Sequence, residues 1–145
     1  MPIAHAMWIH GHSIRIEYPD RMDADTRRLG GYIRLVGRAG TSNWFHAAIP
    51  TAVIVLDKRL RIGRVMLRFR TSGATVTSVH VYDGGSRIAS HDGLSLSPND
   101  WAFEGFDIPA EPEIRWGLGL SFKGEFGSGT HRRIEVSSVG GDFTP

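Results

Sequence analysis

A chain of 145 residues with a formal net charge of +2 has the length of one ordinary domain, and at that length folding buries roughly two-thirds of the unfolded surface. Cysteine is absent, which excludes disulfides, thiolate catalysis and thiolate zinc sites. No apolar run approaches the ~20 residues of a membrane span, and the N-terminal segment lacks the pattern of a secretory leader. We therefore expect a single soluble domain over residues 1–145, without membrane contact and located in the cytoplasm.

Apolar residues recur at every second position through most of the chain, which is typical of half-buried strands rather than of helices. The first strand contains Gly11, which predicts a bulge, and it ends at Pro19. The polar segment 20–28 is the one place where the pattern allows a helical turn. Strands are predicted over residues 8–18, 32–36, 43–49, 52–56, 64–70, 78–82, 88–90, 94–96, 103–108, 114–123 and 134–136.

The stretch 64–92 gives the clearest pattern, which predicts three consecutive antiparallel strands joined by tight turns. Val65, Leu67 and Phe69 alternate with polar or charged neighbours and form the inward set of the first of these strands. The glycine pair 84–85 follows an aspartate and precedes a serine, a combination that favours a two-residue hairpin turn.

Other segments predict which side chains are buried. Residues 52–56 form a continuous apolar run, which predicts a central strand covered on both faces. Trp44 and Phe45 are neighbours in one strand, so they must face opposite sides, and one of them must lie at a surface or an interface. A short closing strand at 134–136 should precede an exposed tail. The strand 114–123 should present five inward residues, Ile114, Trp116, Leu118, Leu120 and Phe122.

Short strands with hairpin-length connections and one apolar face each must pack against one another. The pattern therefore predicts an all-β fold, an antiparallel β-sandwich of jelly-roll-like type. A closed antiparallel β-barrel with a ligand cavity is the alternative, because alternation does not distinguish two stacked sheets from one curled sheet.

Seven histidines are the obvious candidate metal ligands in a chain without cysteine. If the glycine pair 84–85 forms the turn, the register places His80 and His91 on one face as diagonal neighbours, roughly 7–8 Å apart. The simpler interpretation is a pair of solvated histidines on an outer face, with Tyr82 and Arg87 beside them. Since the other histidines are dispersed, we predict neither a metal site nor a cofactor.

The arginines of strand 64–70 lie on one face, but the nearest aromatic residue in that strand, Phe69, faces the other way. Nucleic acid is therefore an unlikely partner, because single strands need aromatic stacking platforms among the charges. Gly117, Gly119 and Ser121 give the strand 114–123 an outer side that is poor in side chains. Either another copy of the chain covers this side, which predicts a homo-oligomer, or a flat ligand does, or an aromatic side chain such as Trp44 or Trp101 lies over it.

No Gly-x-Ser-x-Gly motif and no thiol supports nucleophilic catalysis. We therefore predict a non-catalytic ligand-binding or assembly domain with carbohydrate as the ligand class, by analogy with other sandwiches. The alternative is a small barrel enzyme of cyclase or isomerase type that uses His and Asp residues of a closed cavity. An exposed Trp or Tyr beside Asn, Asp or Arg on one sheet face would favour sugar binding. The candidate ligand-binding residues are Trp44, His80, Tyr82, His91 and Trp101.

Overall fold

The computed structural model describes residues 3–145, which form strands and two single-turn 3-10 helices, Gly11–Ser13 and Pro19–Arg21. The second helix overlaps the start of the segment in which the sequence allows a helical turn. The strands are β1 (His5–His10), β2 (Arg15–Ile16), β3 (Arg27–Arg28), β4 (Ile33–Val36), β5 (Ser42–Ile49), β6 (Ile54–Val55), β7 (Lys58–Arg59), β8 (Arg61–Ser72), β9 (Ala74–Asp83), β10 (Ser86–His91), β11 (Ala102–Asp107), β12 (Leu118–Phe126) and β13 (Arg133–Thr144).

Two antiparallel sheets make up the body of the structure. One has the strand order β11-β8-β13-β4-β3, with β1 paired to the second half of β13 beyond β4. The other has the order β10-β9-β12-β5-β2, and β6 and β7 form a separate small hairpin. Within residues 3–145 no strand of the first sheet pairs with a strand of the second, so the sheets do not close into a barrel. The predicted jelly-roll-like sandwich is confirmed, and the closed-barrel alternative is wrong.

The core lies between the two sheets and consists of the inward residues of alternate positions. Val65, Leu67 and Phe69 of β8 are fully buried, as their spacing predicts. Phe45 of β5 and Phe122 of β12 meet in the other sheet with ring centroids 5.2 Å apart. Full burial of such a side chain contributes about 1.5–3 kcal/mol, so the inward residues of both sheets stabilise their packing face to face.

The predicted central strand at 52–56 is wrong. Only Ile54–Val55 is a strand there, and it belongs to the small hairpin β6-β7, where Ile54 is 57% and Leu56 92% exposed. Leu56 and Asp57 have positive φ angles of 50° and 61°, so the chain reverses direction after two strand residues. A continuous apolar run therefore does not indicate burial here, because the chain turns at its end.

The limits of the last two strands also differ from the prediction. Leu118, Leu120 and Phe122 are buried as expected, but β12 begins only at Leu118 and Trp116 is 79% exposed. Gly117, with a φ of 137°, ends the loop that precedes the strand. The tail expected after residue 136 is part of the long strand β13, in which Phe143 is fully buried.

Gly11 does not form a bulge but begins a 3-10 turn that packs against β13. A Cβ atom at Gly11 would lie 2.0 Å from the carbonyl oxygen of Val136, so only glycine fits. The described residues contain no helix long and apolar enough to cross a membrane.

Candidate functional site

The outer face of the five-stranded sheet carries a cleft of about 510 Å³. Strands β5, β9 and β12 form its floor, and residues next to β2 and in β10 form its sides. The lining residues are Glu17, Trp44, His46, His80, Tyr82, Gly84, Arg87 and Ser121.

Strand register places these side chains in rows across the sheet. Ser121 pairs with His46 on one side and with His80 on the other, so the two histidines flank the serine. In the next row Gly119 pairs with Tyr82, and Tyr82 pairs in turn with Arg87. Because outward residues of neighbouring antiparallel strands share a face, each row brings polar groups from different strands together.

His46 lies at the centre of a hydrogen-bonded series. Its Nε2 atom donates to Glu17 Oε1 at 2.8 Å, which leaves Nδ1 to accept from the Ser121 hydroxyl at 2.6 Å. The hydrogen bond from His46 holds the pKa of Glu17 below its ordinary value, even though desolvation opposes this shift. Glu17 is therefore a carboxylate at neutral pH and fixes the orientation of the imidazole ring.

His80 and Trp44 form the aromatic part of the cleft. Their ring centroids are 4.8 Å apart with an interplanar angle of 44°, and both side chains are partly exposed. His80 Nε2 donates to Asp92 Oδ1 at 2.9 Å, and this bond lowers the pKa of Asp92. The imidazole is thus held by a carboxylate while Trp44 keeps an apolar surface at the cleft.

A second exposed tryptophan, Trp116, lies at the rim. A Cβ atom on Gly84, which lines the cleft, would come within 2.8 Å of the Trp116 Cβ atom, so the two residues are in close contact. The buried carboxylate of Asp83 accepts hydrogen bonds from the backbone N–H groups of Arg115, Trp116 and Gly117 at 3.0, 2.8 and 3.2 Å. Asp83 thereby holds the loop that carries the rim tryptophan.

The structure brings together three of the five candidate residues, namely Trp44, His80 and Tyr82. His91 lies elsewhere, and the prediction that it shares a face with His80 is wrong. The turn is where the sequence predicts it, with Asp83 opposite Ser86, but the register shifts between Arg87 and Ala89. That bulge pairs His91 with the inward residue Val79, and His91 Nε2 donates to the backbone carbonyl oxygen of Asp107 in the other sheet, at 2.8 Å.

Trp101 lies on the outer face of the six-stranded sheet, where its ring contacts Arg68 and Arg70. It therefore does not cover the glycines of β12. Beside Gly119 stands Tyr82, whose Cβ atom would be 4.0 Å from an added Cβ atom.

Glu17, His46 and Ser121 also belong to the site, although the sequence pattern does not predict them as members, and Arg87 joins them as the predicted neighbour of His80. Their outward parity was visible, and His46 lies two residues from Trp44 in the same strand. The order of the strands in the sheet was not visible, and without it no outward residue can be assigned a neighbour. Within residues 3–145, no three His, Asp or Glu side chains converge in a manner that could hold a metal ion.

Several solved structures share this fold at low sequence identity. A low affinity xylan binding module, CBM86, from Roseburia intestinalis has 14% identity and a TM-score of 0.60, with 97% of each chain covered. A variant of CBM29-2 complexed with cellulohexaose has 9% identity and a TM-score of 0.54, with 96% of this chain and 92% of that chain covered. CBM27-1 of Caldicellulosiruptor saccharolyticus in complex with mannohexaose has 13% identity and a TM-score of 0.51, with 94% and 96% covered.

At these identities the likeness concerns the fold, a β-sandwich of jelly-roll type. No curated protein matches the chain. A family model does match, over residues 1–145, and the chain therefore belongs to DUF6623, which is described as a family of unknown function.

Proposed function

We propose that residues 1–145 form a single non-catalytic domain that binds carbohydrate in the cleft on the five-stranded sheet. The observation that carries this proposal is the combination of Trp44 and Tyr82 with Glu17 and Arg87 on one sheet face. This is the arrangement that distinguishes a sugar site from a closed catalytic cavity. Three structures with the same sandwich fold that are described as carbohydrate-binding modules or as bound to oligosaccharides give further support.

The chemistry of the cleft suits a sugar ring, which has apolar C–H faces and a rim of hydroxyl groups. Trp44 supplies a flat apolar surface with little conformational entropy to lose. Carboxylate, guanidinium and imidazole groups around it can accept from and donate to hydroxyls. A volume of about 510 Å³ lies within the roughly 300–1,000 Å³ of small-ligand sites, so the cleft has room for a short stretch of glycan.

Glu17, His46 and Ser121 repeat the hydrogen-bonded order of carboxylate, base and hydroxyl found in serine hydrolases. Ser121, however, lies within β12 between two paired strands, where backbone N–H groups are used in the sheet. The N–H groups of β12 beside the hydroxyl are thus not free to stabilise an oxyanion, the largest contribution in such enzymes. We assign these residues to hydrogen bonding of the ligand rather than to catalysis.

The test is calorimetric titration of the protein with xylohexaose, cellohexaose and mannohexaose. We expect at least one of them to bind, and Trp44→Ala to weaken its binding by about tenfold, equivalent to about 1.4 kcal/mol. Trp101→Ala is the matched control, because it removes a tryptophan from the opposite sheet and should leave binding unchanged. Unchanged affinity in Trp44→Ala, or no binding of any of the three, would contradict the proposal. Hydrolysis of p-nitrophenyl acetate that is lost in Ser121→Ala would instead favour an enzyme.

Cytoplasmic location and self-association stay predictions, since a shared fold at such low identity bears on neither. Fractionation of cells that express the protein tests the first of them. Measurement of the mass in solution by light scattering tests the second.

A further inference from the structure

The outer face of the six-stranded sheet is unlike the cleft, because arginines dominate it. We call the following set the arginine face: Tyr32, Arg34, Arg68, Arg70, Trp101 and Arg133. The charge is concentrated at one end of the sheet. Further along β8, Arg64 pairs in register with Asp107 on one side and Asp142 on the other, so that end carries acids as well.

Trp101 lies over two of these guanidinium groups. The Cζ atoms of Arg68 and Arg70 are 4.7 and 4.5 Å from its ring centroid, and Tyr32 meets the ring edge-on at 5.6 Å. Arginines stacked on an aromatic ring are held in place while their N–H groups stay free to bind. The arginine face is therefore preorganised rather than a set of independent flexible charges.

The arginine face already binds a carboxylate of the chain itself. Glu135, whose side chain is 3% exposed, accepts from Arg34 Nε at 2.8 Å and from Arg70 Nε at 2.7 Å. Burial raises the pKa of Glu135, but the hydrogen bonds from both arginines outweigh that effect and the pKa is lowered. The guanidinium nitrogens of Arg133 make no hydrogen bond or ion pair within residues 3–145.

Two small cavities adjoin this cluster, and Arg133 lines both. The first, of about 260 Å³, is also lined by Arg70, Asn99 and Ser72, with Glu135 as its only acid among the described residues. The second, of about 210 Å³, includes Arg27, Arg34, His131 and Arg132, with Asp25 as its acid. Each is smaller than a typical drug-sized pocket of roughly 300 Å³ or more, so each suits one charged group or one sugar unit.

We propose that the arginine face is a second binding site, for a polysaccharide that carries carboxylate groups, such as a chain of uronic acid units. Guanidinium groups recognise planar carboxylates through paired N–H donors. Two adjacent cavities that share Arg133 match an anionic group repeated along a polymer. This site lies on the opposite side of the sandwich from the cleft and does not depend on the function proposed for it.

Single-stranded nucleic acid fits the arginine face less well. Such ligands are held by successive aromatic platforms for successive bases. On the arginine face the rings of Trp101 and Tyr32 meet at 63° instead of lying parallel, and both already lie against guanidinium groups, with Arg70 and Arg34 5.3 and 5.9 Å from the Tyr32 centroid. The comparison therefore favours a carboxylated glycan.

Polygalacturonate is the probe, titrated into the protein at low and at high sodium chloride, with neutral xylan and single-stranded oligothymidine in parallel. We expect polygalacturonate to bind and to bind more weakly at high salt. Replacement of both Arg68 and Arg133 by Gln should reduce its affinity by about tenfold or more, and Arg133→Gln alone should reduce it in part. Arg115→Gln removes the same charge from a side chain that is 61% exposed and lies outside the arginine face, and it should have no effect. Thermal melts check that each variant folds.

Four results would overturn this assignment. The first is no binding of polygalacturonate at low salt. The second is a loss of affinity in Arg115→Gln equal to that in Arg133→Gln, which would indicate unspecific electrostatic attraction. The third is tighter binding of oligothymidine that is lost in Arg133→Gln, which would make the arginine face a nucleic-acid site. Trp44→Ala separates the two proposals, because it should weaken the binding of neutral glycans in the cleft and leave the binding of polygalacturonate unaffected.

The fourth result is loss of polygalacturonate binding in Trp44→Ala. It would assign this binding to the cleft and overturn the inference.

Discussion

Replacement of Asp83 by alanine tests how the rim of the cleft is held. Asp83 is 7% exposed, and its carboxylate accepts three backbone hydrogen bonds from residues 115–117, the segment that carries Trp116. That segment has no regular secondary structure. Its N–H groups therefore depend on this one carboxylate rather than on a sheet or a helix.

The magnitude follows from the number of bonds and the exposure of the loop. A hydrogen bond to a charged group contributes about 1.5–3 kcal/mol, so three of them set an upper range of roughly 5–9 kcal/mol. Water can replace part of this loss, because the side chains of Arg115 and Trp116 are largely exposed and the loop can shift towards solvent. We expect Asp83→Ala to lower the free energy of unfolding by about 3 kcal/mol, which for a chain of this size lowers Tm by roughly 10 °C.

Urea unfolding followed by circular dichroism measures this difference. Asp92→Ala is the matched control, since Asp92 is exposed and accepts its hydrogen bond from His80 at the surface, so it should lower the free energy of unfolding much less than Asp83→Ala does. In Asp83→Ala the Trp116 fluorescence should also change, and oligosaccharide binding should weaken. A loss of less than about 0.5 kcal/mol in Asp83→Ala would refute the reasoning, because it would mean that the loop holds its conformation without the carboxylate.

Three further outcomes are expected. The pKa of Glu135 lies below its ordinary value of 4.5. Its ion pairs therefore stabilise the fold above that pH, and this stabilisation is lost as the pH falls through the lowered pKa. In thermal melts between about pH 2 and 5, Glu135→Gln should show a smaller dependence of Tm on pH. Gly11→Ala should destabilise the protein by about 3 kcal/mol or more in urea unfolding, because its Cβ atom would meet the Val136 carbonyl oxygen at 2.0 Å. For self-association, light scattering should give a multiple of 16.0 kDa that falls to one chain in Gly119→Arg; a mass of one chain for the unmodified protein would contradict it.

The alternation of apolar residues was sufficient to predict an all-β fold and most of its interior, although it left a sandwich and a closed barrel as alternatives. Phe45 is fully buried and Trp44 faces outward, as their positions in one strand require. The inward set of β8 and the turn after Asp83 were also correct. These features depend on residues that are close in sequence. The two-residue period of a strand predicts which side chains face inward, and the residue types of a turn predict where the chain reverses.

The members of the cleft were decided by tertiary structure. Glu17 and His46 are 29 residues apart, and His46 and Ser121 are 75 apart, so they meet only because of the order of the strands in the sheet. The alternation of apolar and polar residues predicts that a side chain points outward. It does not predict which strand lies beside it, or whether it lies on the outer face of the five-stranded or of the six-stranded sheet. For that reason Trp44 and Trp101 were assigned to one site although they lie on opposite sides of the sandwich.

The position of His91 depends on a register shift of one residue. The sequence indicated the turn between Asp83 and Ser86 correctly, and a regular ladder from that turn would have put His91 beside His80. A bulge between Arg87 and Ala89 shifts the register by one residue and turns His91 towards Phe106, with ring centroids 5.6 Å apart. Strand side chains have a period of two, so a one-residue shift exchanges inward and outward positions, and packing between the sheets, not local sequence, determines where that shift occurs.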